Sequence, residues 1–228
     1  MSNSLDLYAK IEPLIGFYDE YEELYSSYLQ LLYPLHVNSV LDIGCGNGKL
    51  LKLLNDNNFD TYGIDRSSEM IRRAKKLGVN AEVKELSSLE KNSFECALAV
   101  GDVLNYMKDD ELDEFFDEVK SVLQVEGYFL ADINTKLGFE VADGVMVKES
   151  ENSFLSVEAN YEDEVLTTNI TLFEENNEVY KKSSGQVLQY FHTKERFEKL
   201  KSFRLVASSP ISMFSDEDEK LLMLFQAT

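Results

Sequence analysis

Residues Val40–Gly48 read V-L-D-I-G-C-G-N-G, and Y-G-I-D follows at Tyr62–Asp65. This pair constrains the fold more tightly than any other stretch. Val40–Ile43 is a short apolar run suited to a strand covered on both faces. Asp42 interrupts it near its carboxyl end, and glycines at 44, 46 and 48 then turn the chain into the helix-like stretch Lys49–Asn57. Gly44 suits a tight turn, and Gly46 lets backbone approach a ligand with no Cβ in the way. A glycine turn between strand and helix is the geometry of a nucleotide cradle at the carboxyl end of a strand. Asp65 ends the next apolar run, where a carboxylate is placed to accept hydrogen bonds from a ribose diol.

The spacing narrows the ligand. A dinucleotide loop has the pattern G-x-G-x-x-G, whose third glycine allows close helix–strand packing beside a pyrophosphate. Here Gly44 and Gly46 are followed by Asn47, Gly48 and Lys49, so that step is missing. A phosphate loop of the G-K-[ST] type needs a hydroxyl for magnesium, and Leu50 follows Gly48-Lys49 instead. Asp42 would repel a pyrophosphate and suits a ligand bearing a positive amine.

At these residues the chain resembles the class I S-adenosylmethionine-dependent methyltransferases, in particular a bacterial branch that acts on small molecules. Their first motif is similar to Asp42-Ile43-Gly44-Cys45-Gly46-Asn47-Gly48, and their ribose-binding acid to Asp65. The resemblance implies S-adenosyl-L-methionine as cofactor. Asp42 would then place its amino-acid end, the Gly44–Gly46 backbone would lie beside the methionine and ribose, and Asp65 would hold the two ribose hydroxyls. Cys45, Arg66 and Met70 would join the cofactor wall, with Glu85 and Leu86 near the adenine. Glu85 stands where the family often has aspartate. Cys45 has no histidine or basic neighbour in sequence and reads as loop packing, not as a nucleophile. Two further stretches, Gly101-Asp102-Val103-Leu104-Asn105-Tyr106 and Asp132-Ile133-Asn134-Thr135, look like the branch's D-x-L-N-Y and D-x-N-T. By position Asp102 and Asn105 face the cofactor or substrate, with Gly101 and Asp102 counted among the cofactor-binding residues, and Asn134 lines the opposite wall.

The rest of the pattern agrees with an α/β class. Strands are expected at 39–43, 60–64, 80–83, 94–100 and 126–132, with helices at 47–57, 68–77 and 109–124 between them. Strand–helix repetition at this spacing predicts a right-handed, doubly wound sheet, and the resemblance makes it mostly parallel and seven-stranded. Residues 5–33 read as one or two amphipathic helices, with tyrosines at 8, 18, 21, 25, 28 and 33. Most of these rings serve packing; by the resemblance, Tyr18 and Tyr21 are candidates for a lid over the cofactor. Residues 138–190 break the rhythm. Val145–Lys148, Phe154–Tyr161, Val165–Phe173 and Glu178–Tyr190 are rich in Val, Thr, Tyr and Phe, and read as antiparallel strands with a hairpin turn at Glu174–Asn177. A helix at 193–201 and strands at 204–208 and 220–226 resume the α/β pattern. The chain therefore divides into 1–137, opening the cofactor-binding domain; 138–191, an antiparallel β insertion expected to cap the substrate; and 192–228, completing the α/β domain.

Composition excludes more than it assigns. The 42 acidic residues exceed the 22 basic ones, a net charge of −20 that repels a phosphate backbone and disfavours a nucleic-acid substrate. No run approaches a membrane span, and the first twenty residues lack the basic-then-apolar order of a signal peptide. Two cysteines make no disulfide framework, and the expected setting is the reducing cytoplasm. No metal-ligand spacing stands out, so no metal is expected. The implied partner is a small-molecule substrate, with the chain as a monomer or, through exposed insertion strands, a homodimer.

Methyl transfer asks mainly for in-line alignment and exclusion of water. Should a base be needed, His192 stands between the insertion and the following helix, where a neutral imidazole takes a proton near neutral pH. His192, Asn105 and Asn134 are thus the catalytic candidates. Two other classes compete: a nicotinamide-dependent oxidoreductase, and a non-catalytic adenosylmethionine-binding module with a protein partner.

Overall fold

The computed structural model describes residues 4–15, 18–177, 179–213 and 217–228. Two helices lead, α1 (Ser4–Ile15) and α2 (Tyr18–Leu32). Strands and helices then alternate: β1 (Ser39–Ile43), α3 (Lys49–Asp56), β2 (Asp60–Asp65), α4 (Ser68–Lys76), β3 (Ala81–Val83), β4 (Phe94–Ala99), α5 (Asp109–Val122) and β5 (Leu123–Asn134). A short helix α6 (Lys136–Ala142) precedes four strands, β6 (Gly144–Ser150), β7 (Ser153–Glu162), β8 (Val165–Asn176) and β9 (Val179–Tyr190). The chain closes with α7 (Lys194–Glu198), β10 (Phe203–Ile211) and β11 (Lys220–Ala227).

One sheet has seven strands in the order β10-β11-β5-β4-β1-β2-β3. Its β3, β2, β1, β4 and β5 run parallel, while β11 pairs antiparallel with both β5 and β10. The order reverses between β1 and β4, and this switch point opens a crevice beyond the strand ends. The sheet is covered on both sides, as the apolar runs require: Val40, Leu41, Asp42 and Ile43 are all buried. On one face α5 brings Leu112, Phe116, Val119 and Val122, three or four residues apart. Phe116 meets Phe129 and Phe225 edge-on, each at 5.3 Å between centroids. On the other face Leu24, Tyr28 and Leu32 of α2 pack with Val40, Leu98 and Leu130.

Strands β6–β9 form a separate antiparallel meander. The ladder between β8 and β9 runs out to Asn176 and Val179, so Glu174 and Glu175 lie inside β8, not in the turn expected over 174–177. Glu174 faces Lys181 across that ladder, an opposite-charge pair that favours this register. Helix α6 also differs from expectation. Thr135 caps it, its Oγ1 accepting the Gly138 N–H at 3.2 Å, a signal hidden by the strand-like residues that follow. Helix α7 is shorter than the expected 193–201. No described helix is long and apolar enough to cross a membrane.

Candidate active site

A cavity of about 600 Å³ lies beyond the carboxyl ends of the strands at the switch point. Asp42, Gly44, Cys45 and Gly46 border it from the loop after β1, and Asp65, Arg66 and Met70 from the turn after β2. Glu85 and Leu86 come from beyond β3, Gly101 and Asp102 from beyond β4, and Tyr21 from α2. The Tyr18 side chain lies outside the described residues; its backbone begins α2.

Hydrogen bonds hold the glycine loop against β2. The N–H groups of Gly44 and Cys45 both donate to the Ile64 carbonyl, at 2.8 and 3.0 Å. The Gly46 N–H donates to Asp65 Oδ2 at 2.9 Å, and the Ser67 N–H donates to Asp65 Oδ1 at 2.7 Å. Gly46 takes φ +53°, and a Cβ there would meet nothing within 4 Å, so this stretch of backbone is open to a ligand. Gly48 is closed. A Cβ on it would fall 2.8 Å from both Ala74 and Val79, so its absence lets the start of α3 pack against α4. The packing task of a third glycine is therefore filled at a different spacing, and the choice of ligand falls to the carboxylates. Ser67, not Asp65, caps α4, its Oγ accepting the Met70 N–H at 3.2 Å.

Asp42 is 2% exposed, and burial together with the nearby Asp65 carboxylate pushes its carboxyl up to about 7. Burial also raises Asp65, against the Ser67 and Gly46 N–H groups that favour its charged form. Two carboxylates raised in this way make the loop a place for a cation and a poor one for a pyrophosphate. Burial pushes the Cys45 thiol up as well, which removes it as a nucleophile. At the rim Arg66 pairs with Glu85 at 3.0 Å, an exposed and weak contact.

The three catalytic candidates do not border the cavity. His192 is 5% exposed; its Nε2 lies 2.9 Å from the Met107 carbonyl, and its ring meets Phe197 edge-on. Burial lowers its pKa, so it is held neutral as a packing residue. Asn105 is fully buried: its Nδ2 donates to the Tyr190 carbonyl at 2.9 Å, and its Oδ1 accepts the Asn134 N–H at 2.9 Å. Both ends of that amide are engaged, so Asn105 ties β5 and β9 together, and Asn134 takes part through its backbone. Among the described residues, none of 138–191 borders the cavity either. The insertion acts at one remove. Leu155, Ile170, Leu172 and Val187 form an apolar face on which α1 lays Leu7 and Ile11.

Helix α1 is the wall that residue-by-residue reading missed. Its Tyr8, Glu12 and Ile15 border the cavity. Glu12 Oε1 accepts from Asn47 Nδ2 at 2.6 Å, its other oxygen lies 3.3 Å from Arg73, and Asp6 accepts from Ser67 Oγ at 2.7 Å. A second missed group stands behind Gly101 and Asp102. Asp132 accepts from the N–H groups of both, at 2.9 and 3.2 Å, and from the Tyr28 hydroxyl at 2.7 Å. Lys220 donates to Asp132 at 3.0 Å and pairs with Asp102. The only local sign of Lys220 is a lysine heading the apolar run Leu221–Phe225. Among the described residues no three metal-ligating side chains converge.

The family model described as a methyltransferase domain matches residues 40–127, the stretch that holds Asp42, the glycine loop, Asp65, Glu85 and Asp102. Over that stretch the chain is similar to the methyltransferase domain family. Its fold is that of a Clostridium acetobutylicum S-adenosylmethionine-dependent methyltransferase, at a TM-score of 0.78 over 99% of both chains with 21% identity. KedS8, a sugar N-methyltransferase from Streptoalloteichus, aligns at 0.72 over 98% of this chain and 93% of its own, with 15% identity. At such identities these likenesses concern the fold. In sequence, the Bacillus subtilis protein YqeM, named as a methyltransferase, is 28% identical over 145 residues, 56% of this chain and 57% of YqeM. The chain thus spans about half the length of the curated relatives it matches.

Proposed function

We propose that the chain transfers the methyl group of S-adenosylmethionine to a nitrogen or oxygen of a small molecule. One observation carries this reading: Asp42, the open Gly46 backbone and Asp65 border a single cavity at the switch point of the sheet. A volume of about 600 Å³ lies within the range of small-molecule sites. The buried Asp42 carboxyl suits a cationic amine, and Asp65 suits a diol. When bound, S-adenosylmethionine supplies a methyl carbon already activated by its positive sulfur. The protein's tasks are then to align and to exclude water. Asp42 accepts hydrogen bonds from the amine end, Asp65 from the ribose hydroxyls, and Met70 and Leu86 give the adenine an apolar surround. Helices α1 and α2 close the cavity from above with Tyr8, Tyr21 and Tyr25.

The small-molecule acceptor has the support of this enclosure, of the name of the sugar N-methyltransferase with the same fold, and of a charge of −20 that disfavours nucleic acid. Two buried free thiols, Cys45 and Cys96, suit action in the cytoplasm, as a monomer or homodimer. Calorimetric titration with S-adenosylhomocysteine and with NAD tests cofactor choice, and turnover with labelled S-adenosylmethionine tests catalysis. Binding of NAD alone would overturn the reading in favour of an oxidoreductase. Cofactor binding without transfer to any acceptor in a broad small-molecule panel would favour a non-catalytic module.

A further inference from the structure

We propose that the methyl acceptor is an amine, received as its ammonium ion among Tyr8, Tyr21 and Tyr106 and deprotonated by Asp102. This assignment rests on the methyltransferase reading above and names the acceptor class for the same cavity.

The rings come from three separate elements. Tyr8 belongs to α1, Tyr21 to α2 and Tyr106 to the turn after β4, and all three border the cavity. Tyr21 lies over the backbone beside Asp102: a Cβ built on Gly101 would sit 3.4 Å from Tyr21 Cε1. Burial pushes all three phenols up. The rings therefore stay neutral and present π faces and hydroxyls. Neutral aromatic faces in a desolvated site attract a cation.

Charge points the same way. Among the described residues, eight carboxyl groups border the cavity against Lys49, Arg66 and Lys84. Of these cations, Arg66 is paired with Glu85 and Lys84 with Glu82. Such a field repels phosphate or carboxylate acceptors and favours an ammonium.

Asp102 is built to serve it. The residue takes φ +64°, a left-handed conformation rare outside glycine, and is fixed there by its N–H to Asp132. Lys220 and Asp132 are 3% and 0% exposed, whereas the Asp102 side chain is 16% exposed and borders the cavity. Of the three groups, Asp102 alone reaches the ligand space. Lys220 pairs with the Asp102 carboxyl and so holds it in place beside the cavity. Lys220 is thus a positioning residue and Asp102 the catalytic one.

The chemistry selects nitrogen over oxygen. An ammonium N–H proton passes to a carboxylate oxygen of Asp102, which frees the nitrogen lone pair. That pair bonds to the methyl carbon as the carbon–sulfur pair returns to sulfur, leaving S-adenosylhomocysteine and an N-methylammonium product. The Asp102 proton leaves to water when the cavity opens. A hydroxyl acceptor is far less acidic and needs a stronger base than a carboxylate. Among the described residues no histidine borders the cavity, and the raised phenols are protonated.

The test is calorimetric titration of the protein saturated with S-adenosylhomocysteine, near neutral pH, using the size-matched probes cyclohexylamine and cyclohexanol. The amine is expected to bind about tenfold or more tightly than the alcohol. Asp102→Asn should abolish that preference, bringing the two affinities within about threefold of each other. Tyr106→Phe should keep the preference and Tyr106→Leu should reduce it, a pair that decides the matter even if Asp102→Asn fails to fold. Equal affinity for the two probes, absence of binding by both included, overturns the proposal. So does a preference that survives both Asp102→Asn and Tyr106→Leu. Failure of S-adenosylhomocysteine itself to bind is a separate outcome, and it overturns the methyltransferase reading.

Discussion

The backbone N–H of Gly46 donates to Oδ2 of Asp65 at 2.9 Å, which makes the glycine loop and the acid of the next strand one hydrogen-bonded unit. Because Oδ1 accepts from Ser67, Asp65→Ala strands two backbone donors at once. Loss of stability of about 1–3 kcal/mol is expected in urea denaturation. S-adenosylhomocysteine affinity should fall about tenfold or more, since loop and ribose contact fail together. A variant that binds as tightly as the parent would remove Asp65 from the cofactor site.

Asp42 makes binding depend on pH. In the free protein its carboxyl is raised to about 7 by burial and Asp65. A cation bound beside it favours the ionised form, so binding below about pH 7 must expel a proton. Affinity for S-adenosylhomocysteine is therefore full above that pH and weakens as pH falls through it, by at most about tenfold per unit. Asp42→Asn should flatten the profile. The same raised pKa means that folding binds a proton between the ordinary carboxylate range and about 7, so this group's contribution falls as pH rises. Asp42→Asn should accordingly melt higher than the parent at alkaline pH while binding the cofactor less well.

His192 should matter to stability and not to turnover. His192→Ala removes the contact with the Met107 carbonyl and the packing on Phe197, an expected loss of about 1–3 kcal/mol. At a temperature where the variant is folded, kcat should be unchanged. The lowered pKa of the buried ring adds a sign: as pH falls below the ordinary histidine value, the unfolded chain takes up the proton first and stability drops. A rate loss without a stability loss would return His192 to the catalytic list.

Lys220 sits between Asp102 and Asp132 with 3% exposure. Lys220→Met leaves two carboxylates facing one another without a cation, at an expected cost of about 3–5 kcal/mol. Adding Asp132→Asn should recover part of that loss, and a double-mutant cycle measures how much. Strictly additive effects would show that the pair is not coupled.

The parts of this protein legible in its sequence are those set by neighbours along the chain. The glycine loop, Asp65 and the alternation through β5 follow from apolar period and turn residues, which act within a few positions. The wall over the cavity is of another kind. Leu7 and Ile11 mark α1 as amphipathic, but their partners, Leu155 to Val187, lie well over a hundred residues away. Nothing local says that the insertion supports α1 instead of lining the cavity. Asn105 and His192 failed for a related reason. A polar side chain near a strand end reads alike whether it faces a ligand or a backbone carbonyl, and only the fold brings Tyr190 and Met107 to them. Lys220 looked like a strand end and proved to be a buried charge.

The most direct test of the account is a calorimetric titration of the full chain with S-adenosylhomocysteine above about pH 7.5, where Asp42 is ionised. One molecule should bind per chain, Asp65→Ala should weaken it, and NAD should give no heat of binding. Absence of S-adenosylhomocysteine binding by the folded parent, with Asp42 and Asp65 both intact, would contradict the assignment of this cavity.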